Sequence, residues 1–167
     1  MHWYEDRARL EAEVAAVRAQ GAALPLLRDR WVLIKCDYEA DGVWSRDGAP
    51  SRAEALPIGL DLMARLHRWT DLFETNPEWD RHGNRWVPEQ DRAWSDEGLA
   101  IAIEIKRQLP DWTVVYHDGW RSATPDHPRL EDRRAYFEYE ITDEVVRTGR
   151  RPFERPRQEE GPRPRLS

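Results

Sequence analysis

Carboxylates recur at every second position in Asp37-Tyr-Glu39-Ala-Asp41-Gly42, and Asp47 follows shortly after. Oxygen ligands so spaced and followed by glycine are how a calcium loop begins. The twelfth position, however, is Gly48 where such a loop needs a bidentate Glu, and the run ahead of it, Trp31-Val-Leu-Ile34, reads as a strand where a helix is required. These acids are therefore expected on a solvated hairpin turn. Glu104-Ile-Lys106 matches the acid-x-lysine element of metal-dependent nucleases, which needs both side chains on one strand face beside an earlier Asp. If that segment is helical, they are two edge charges on a mostly buried helix. His117, Asp118 and His127, with Cys36, could supply a base, an orienter and a nucleophile, but no nucleophile elbow accompanies them. Cys/His metal spacing and glycine-rich phosphate loops are absent. No catalytic residue, metal ligand or cofactor is assigned from these patterns.

The tryptophans point elsewhere. Nine occur in 167 residues, and Trp44, Trp79, Trp86, Trp94 and Trp120 fall in expected loops or turns. Loop indoles beside carboxylates suit protein recognition, because aromatic rings supply contact energy and acids steer a basic partner. The alternative is that the loops fold back and bury the rings as a second small core. On the first reading the partner-binding candidates are Asp37, Glu39, Asp41, Trp44, Asp47, Trp79, Trp86 and Trp120.

Positioning these residues requires an α+β fold. Leu10, Val14 and Val17 recur at helical spacing, with Gly21 as a stop, and predict a helix over about 4–20. Leu62, Leu66, Trp69 and Phe73 line one face of a second helix over about 57–75, opened by Pro57 and ended at Asn76-Pro77. Residues 77–94 read as an irregular loop. Leu99, Ile101, Ile103 and Ile105 alternate as in a strand, but Ser95-Asp-Glu97 ahead of them and Lys106-Arg107 behind them are helix-end signals, so a helix is expected over about 95–109. Strands are expected at about 31–37, 43–45, 112–117 and 133–142, in a small, mainly antiparallel sheet packed against those helices. The single domain covers 1–149; residues 150–167, with four prolines and little to bury, form an Arg/Pro-rich flexible tail.

Charge narrows the partner. The formal charge is −6, yet residues 147–167 carry seven Arg against three Glu, a net of +4, which leaves −10 on residues 1–146. An acidic body argues against nucleic acid and for a basic protein. No apolar stretch approaches the ~20 residues that span a bilayer, the first residues lack a signal-peptide pattern, and Cys36 is alone, so a cytoplasmic location without membrane attachment is expected.

Trp31-Val-Leu-Ile-Lys-Cys-Asp-Tyr-Glu-Ala-Asp-Gly-Val-Trp44 and Leu109-Pro-Asp-Trp-Thr-Val-Val-Tyr-His-Asp118 resemble segments of the small cytoplasmic immunity proteins of bacterial polymorphic-toxin and contact-dependent inhibition systems. The resemblance covers about residues 30–118. It implies a small acidic α/β protein that neutralises a cognate toxin domain by occluding it, and it assigns no residue a role. A protein-binding inhibitor is thus the leading reading. A small metal-dependent hydrolase or nuclease would require Asp37 or Asp41 to converge with Glu104, Lys106 or His117. An accessory subunit would use the Arg/Pro tail to dock on a larger assembly.

Overall fold

The computed structural model describes residues 2–37, 40–74, 91–123 and 133–154. In chain order these form α1 (Arg7–Arg18), α2 (Pro25–Asp29), β1 (Trp31–Ile34), β2 (Val43–Trp44), β3 (Pro50–Ser51), α3 (Leu60–Glu74), α4 (Arg92–Gln108), β4 (Thr113–His117), α5 (Gly119–Ala123), α6 (Arg134–Phe137), β5 (Glu138–Glu140) and α7 (Asp143–Thr148), with short 3-10 turns at Trp3–Glu5, Gly21–Ala23 and Ala53–Ala55. The fold is α+β, and its sheet, ordered β3-β2-β1-β4-β5, is mostly antiparallel. The central pair β1 and β4 is parallel. Two strands running the same way need a crossover, and the stretch holding α3 and α4 supplies it.

Helix α4 is the middle of the molecule. It packs on β4, α3 and α7, so Leu99, Ile101, Ala102, Ile103 and Ile105 are all buried. Its polar stripe, Arg92, Asp96, Glu104 and Arg107, is interrupted by Ala100, so Leu99–Ile103 between the charges is an unbroken apolar run that could pass for a strand. At Gly98 it crosses α3 so closely that a Cβ would stand 2.4 Å from Cζ2 of Trp69 and 2.5 Å from Oη of Tyr116. Trp69 and Trp94 stack there at 4.7 Å, and each indole N–H donates to the other's carbonyl.

Several boundaries move for identifiable reasons. The N-cap of α4 is Asp91, whose carboxylate accepts the Ala93 and Trp94 N–H groups. Ser95 therefore lies inside the helix, where its hydroxyl accepts the Trp120 N–H, and Trp94 is a buried helical residue. The start of α3 is Leu60, because Arg18 donates to the carbonyls of Leu56 and Ile58 and holds that approach extended. Of the strand expected over 133–142, only Glu138–Glu140 pairs with β4. Residues 134–137 are instead the short α6, whose Tyr136 carbonyl accepts from buried Arg121 while the guanidinium lies 4.3 Å from the Tyr136 ring. Gly149 caps α7 in the left-handed conformation. Just beyond, in the stretch read as tail, Arg151 is packed inside with its side chain 4% exposed.

Candidate partner-binding surface

Because β1 and β4 run parallel, the residues that follow them emerge at the same end of the sheet: Asp37 after one, Trp120 after the other. The N-terminal turn of α4 reaches that end too, since the Tyr116 hydroxyl donates to the Ser95 carbonyl. So does the C-terminal part of α3, where Phe73 stacks on Trp94. The acidic turn lies against α3. Gly42 has φ +78, and a Cβ there would come within 2.5 Å of Thr70 Cγ2, so both backbone and space demand glycine.

Each described acid of the turn has an internal partner. Lys35 Nζ lies 3.8 Å from Asp37 and 5.5 Å from the Trp44 ring. Asp41 accepts the Ala53 N–H at 3.3 Å and faces Arg52 at 3.5 Å, an arginine that also pairs with Glu13 and Glu54. Asp47 accepts from the Ser45 hydroxyl, which holds its carboxyl below the usual range. It sits at the other end of β2 from Asp41, so the turn's acids do not form one patch. Another acidic grouping does form. Burial together with the Asp41 and Asp71 carboxylates pushes the Glu74 carboxyl up, which places these acids of the turn and of α3 in one field.

The indoles are half-covered. Trp44 donates to the Lys35 carbonyl at 2.9 Å. Trp120 lies between two guanidinium groups, Arg92 at 4.7 Å and Arg151 at 5.2 Å. Glu39, Trp79 and Trp86 lie outside the described residues, as does His127.

Among the described residues, those named for catalysis are not brought together. His117 Nδ1 is 3.0 Å from Glu138, whereas Asp118 turns inward to Tyr139 and Arg151. Glu104 pairs with Arg107, and Lys106 donates to the carbonyls of Pro110 and Trp112 at the far end of α4. Neither reaches Asp37 or Asp41. Among the described residues no three His, Cys, Asp or Glu side chains are placed to hold a metal ion. No helix among them is long and apolar enough to cross a membrane.

Two buried networks escape any local reading. Arg151 bridges Asp118, which is fully buried, and Asp96, a contact between residues 33 and 55 positions apart. Glu54, also fully buried, lies 3.0 Å from His67 Nε2, and His67 in turn stacks on Tyr4. An Arg in a proline-rich stretch and a Glu between two alanines carry no periodic signal, so spacing could not have found them.

The family model described as Serratia CdiI immunity protein-like matches residues 30–119, more than half of the 167. The match runs from the residue before β1 to the first residue of α5 and so contains the parallel pair, α3, α4 and the acidic turn. No curated protein and no solved structure matches the chain.

Proposed function

The chain belongs to the Serratia CdiI immunity protein-like family, and from that premise we propose that this immunity-type protein neutralises a cognate toxin by binding it and occluding its active surface. The family match is the observation that carries the reading. Charge gives it a mechanism. A body of formal charge −10 over residues 1–146 speeds the approach of a basic toxin. Asp41, Asp71 and Glu74 concentrate that field at the end of the sheet where the acidic turn and Trp120 also lie. Asp37 and Asp41 then exchange their internal cations for Lys or Arg of the toxin, and Trp44 supplies apolar contact. Glu39, Trp79 and Trp86 are included as candidates on sequence grounds.

The test is to mix the purified chain with its cognate toxin domain, follow toxin activity, and measure the association rate across ionic strength. Stoichiometric inhibition is expected, with association slowing at least tenfold between low salt and about 0.5 M salt. A toxin left active at equimolar protein refutes the inhibitor. A rate indifferent to salt refutes the acidic steering surface.

A further inference from the structure

Two large apolar side chains stand in water among the described residues, Leu72 at 56% exposure and Phe153 at 63%. Phe153 is the more unusual, because its backbone is also in the left-handed region, at φ +61. The Glu154 N–H donates to the Arg151 carbonyl at 3.3 Å and closes residues 151–154 into a turn. Pro152, at the second position, has a negative φ, so the positive φ at the third makes this a type II turn, where glycine or asparagine normally stands. A phenyl ring there is disfavoured twice, by a Cβ in the left-handed region and by its exposure to water. Arg30, the other described non-glycine with positive φ, closes α2, where a left-handed residue is ordinary.

The turn is held on both sides of the ring. Arg151 is locked to Asp118 and Asp96, and Glu154 pairs with Arg92 at 3.2 Å. An aromatic side chain on so fixed a backbone is preorganised, and burying it on a partner costs little further ordering. Asp118 follows β4 directly, while Arg92 and Asp96 belong to the start of α4, so Phe153 stands at the end of the sheet where the acidic turn emerges. Leu72 belongs to that end too. It lies two turns beyond Arg65 on one stripe of α3; Arg65 pairs with Glu97 of α4, and Phe73 beside Leu72 stacks on Trp94. Leu72 is flanked by Asp71 and Glu74, which crowd with Asp41, so charge favours a basic partner over it. We propose that Phe153 and Leu72 are the two anchors that grip the cognate toxin, each entering an apolar depression on it, with Lys or Arg of the toxin beside Leu72. This rests on the immunity reading above and adds to it the place of contact. Binding then gives a reason for a residue at 153 that folding alone disfavours.

The experiment compares wild type, Phe153→Asn, Phe153→Leu and Leu72→Gln for thermal unfolding and for association and dissociation rates with the cognate toxin domain, and adds hydroxyl-radical labelling of wild type with and without toxin. Asparagine accepts the left-handed region more readily than phenylalanine, so Phe153→Asn should melt no lower than wild type while dissociating from toxin at least tenfold faster. Phe153→Leu keeps both the backbone conflict and an apolar side chain, and should dissociate distinctly more slowly than Phe153→Asn. Leu72→Gln should melt within a few degrees of wild type and dissociate several-fold faster. Toxin should protect Phe153 and Leu72 from labelling. Wild type that binds toxin while Phe153→Asn or Leu72→Gln binds as tightly overturns the anchors and leaves the immunity reading standing. Wild type that binds no toxin overturns both. Phe153→Asn that melts well below wild type, or Phe153 already protected from labelling in the free chain, means that the chain itself or a second copy covers the ring, and the inference fails.

Discussion

Arg151 offers a sharp test of how the loop end is held. Its guanidinium donates to Asp118 through Nε and to Asp96 through Nη1, both at 2.5 Å, and lies over Trp120. Asp118 is wholly buried, with the Tyr139 hydroxyl and the Arg121 N–H as its further donors among the described residues. Arg151→Met keeps the length of the side chain and leaves that carboxylate without a cation. Stranding a buried charge costs about 3–5 kcal/mol, which for a chain of this size lowers Tm by roughly 6–20 °C. Asp118→Asn should cost less, about 2 kcal/mol, because half-exposed Asp96 still holds the arginine. The pair is not ideally satisfied, since Arg151 Nη2 is buried without a hydrogen-bond partner among the described residues. Removing both charges therefore relieves a cost as well as losing a bond. The double variant should be more stable than the sum of the singles implies, with a coupling of about 2 kcal/mol. Urea unfolding at pH 7 followed by Trp fluorescence measures all four corners. Effects that add within about 0.5 kcal/mol, or an Arg151→Met cost below about 1 kcal/mol, refute the buried bridge.

Gly98→Ala sets helix propensity against packing. Propensity favours Ala by about 1 kcal/mol, but the added Cβ meets Trp69 and Tyr116 at 2.4 and 2.5 Å, and overpacking costs about 1–3 kcal/mol; a net loss is expected, and a raised Tm would mean that the two helices separate freely. Acid should unfold the chain through Glu54 and Glu138. Burial pushes the Glu54 carboxyl up, yet the hydrogen bonds with His67 and the backbone, together with nearby Arg52, outweigh this, and both carboxyls sit below the usual range when folded. Their contribution is present above the unfolded carboxylate value of about 4.3 and lost as pH falls through the lower folded values. Unfolding free energy against pH should thus be flat above about pH 5 and fall below about pH 4, and Glu54→Gln should lessen that slope; an unchanged slope would exclude Glu54 as its source. Asp41→Asn together with Glu74→Gln should slow toxin association several-fold at low salt and little at high salt, measured by stopped flow; equal slowing at both would mean that these acids do not act through a long-range field.

What could be read in advance follows the range of the interactions involved. α1, α3, β1 and β4 write their cores at fixed local spacing: Leu10, Val14 and Val17 on one helix, Leu62, Leu66, Trp69 and Phe73 on another, alternation in the strands. The residues that shift boundaries act across the chain. Arg18 straightens 56–58, Arg121 turns 134–137 into a helix, and Ser95 is diverted from capping to hold Trp120. The acidic turn was legible as a hairpin because Asp41-Gly42 separates two strand-like runs. That Asp41 would be met by Arg52 and by the Ala53 N–H was not, because the pairing of β2 with β3 brings them there. Trp94 reads like its loop neighbours until Asp91 is seen to cap the helix that buries it.

A carboxylate that already has a cation at its side cannot supply much contact energy to a newcomer. Asp37 has Lys35 and Asp41 has Arg52, so a toxin cation meeting them exchanges one ion pair for another. Exposed exchanges of this kind are worth about 0–1 kcal/mol. Their field still acts at distance, because the acids outnumber the bases over residues 1–146 and crowd near Glu74. The same residues can therefore set the rate of encounter without setting the lifetime of the complex. Lifetime needs apolar area removed from water, about 25 cal/mol per Å², which an exchange of ion pairs does not supply. Neutralising the acids should then change mainly the association rate and leave the dissociation rate nearly unchanged.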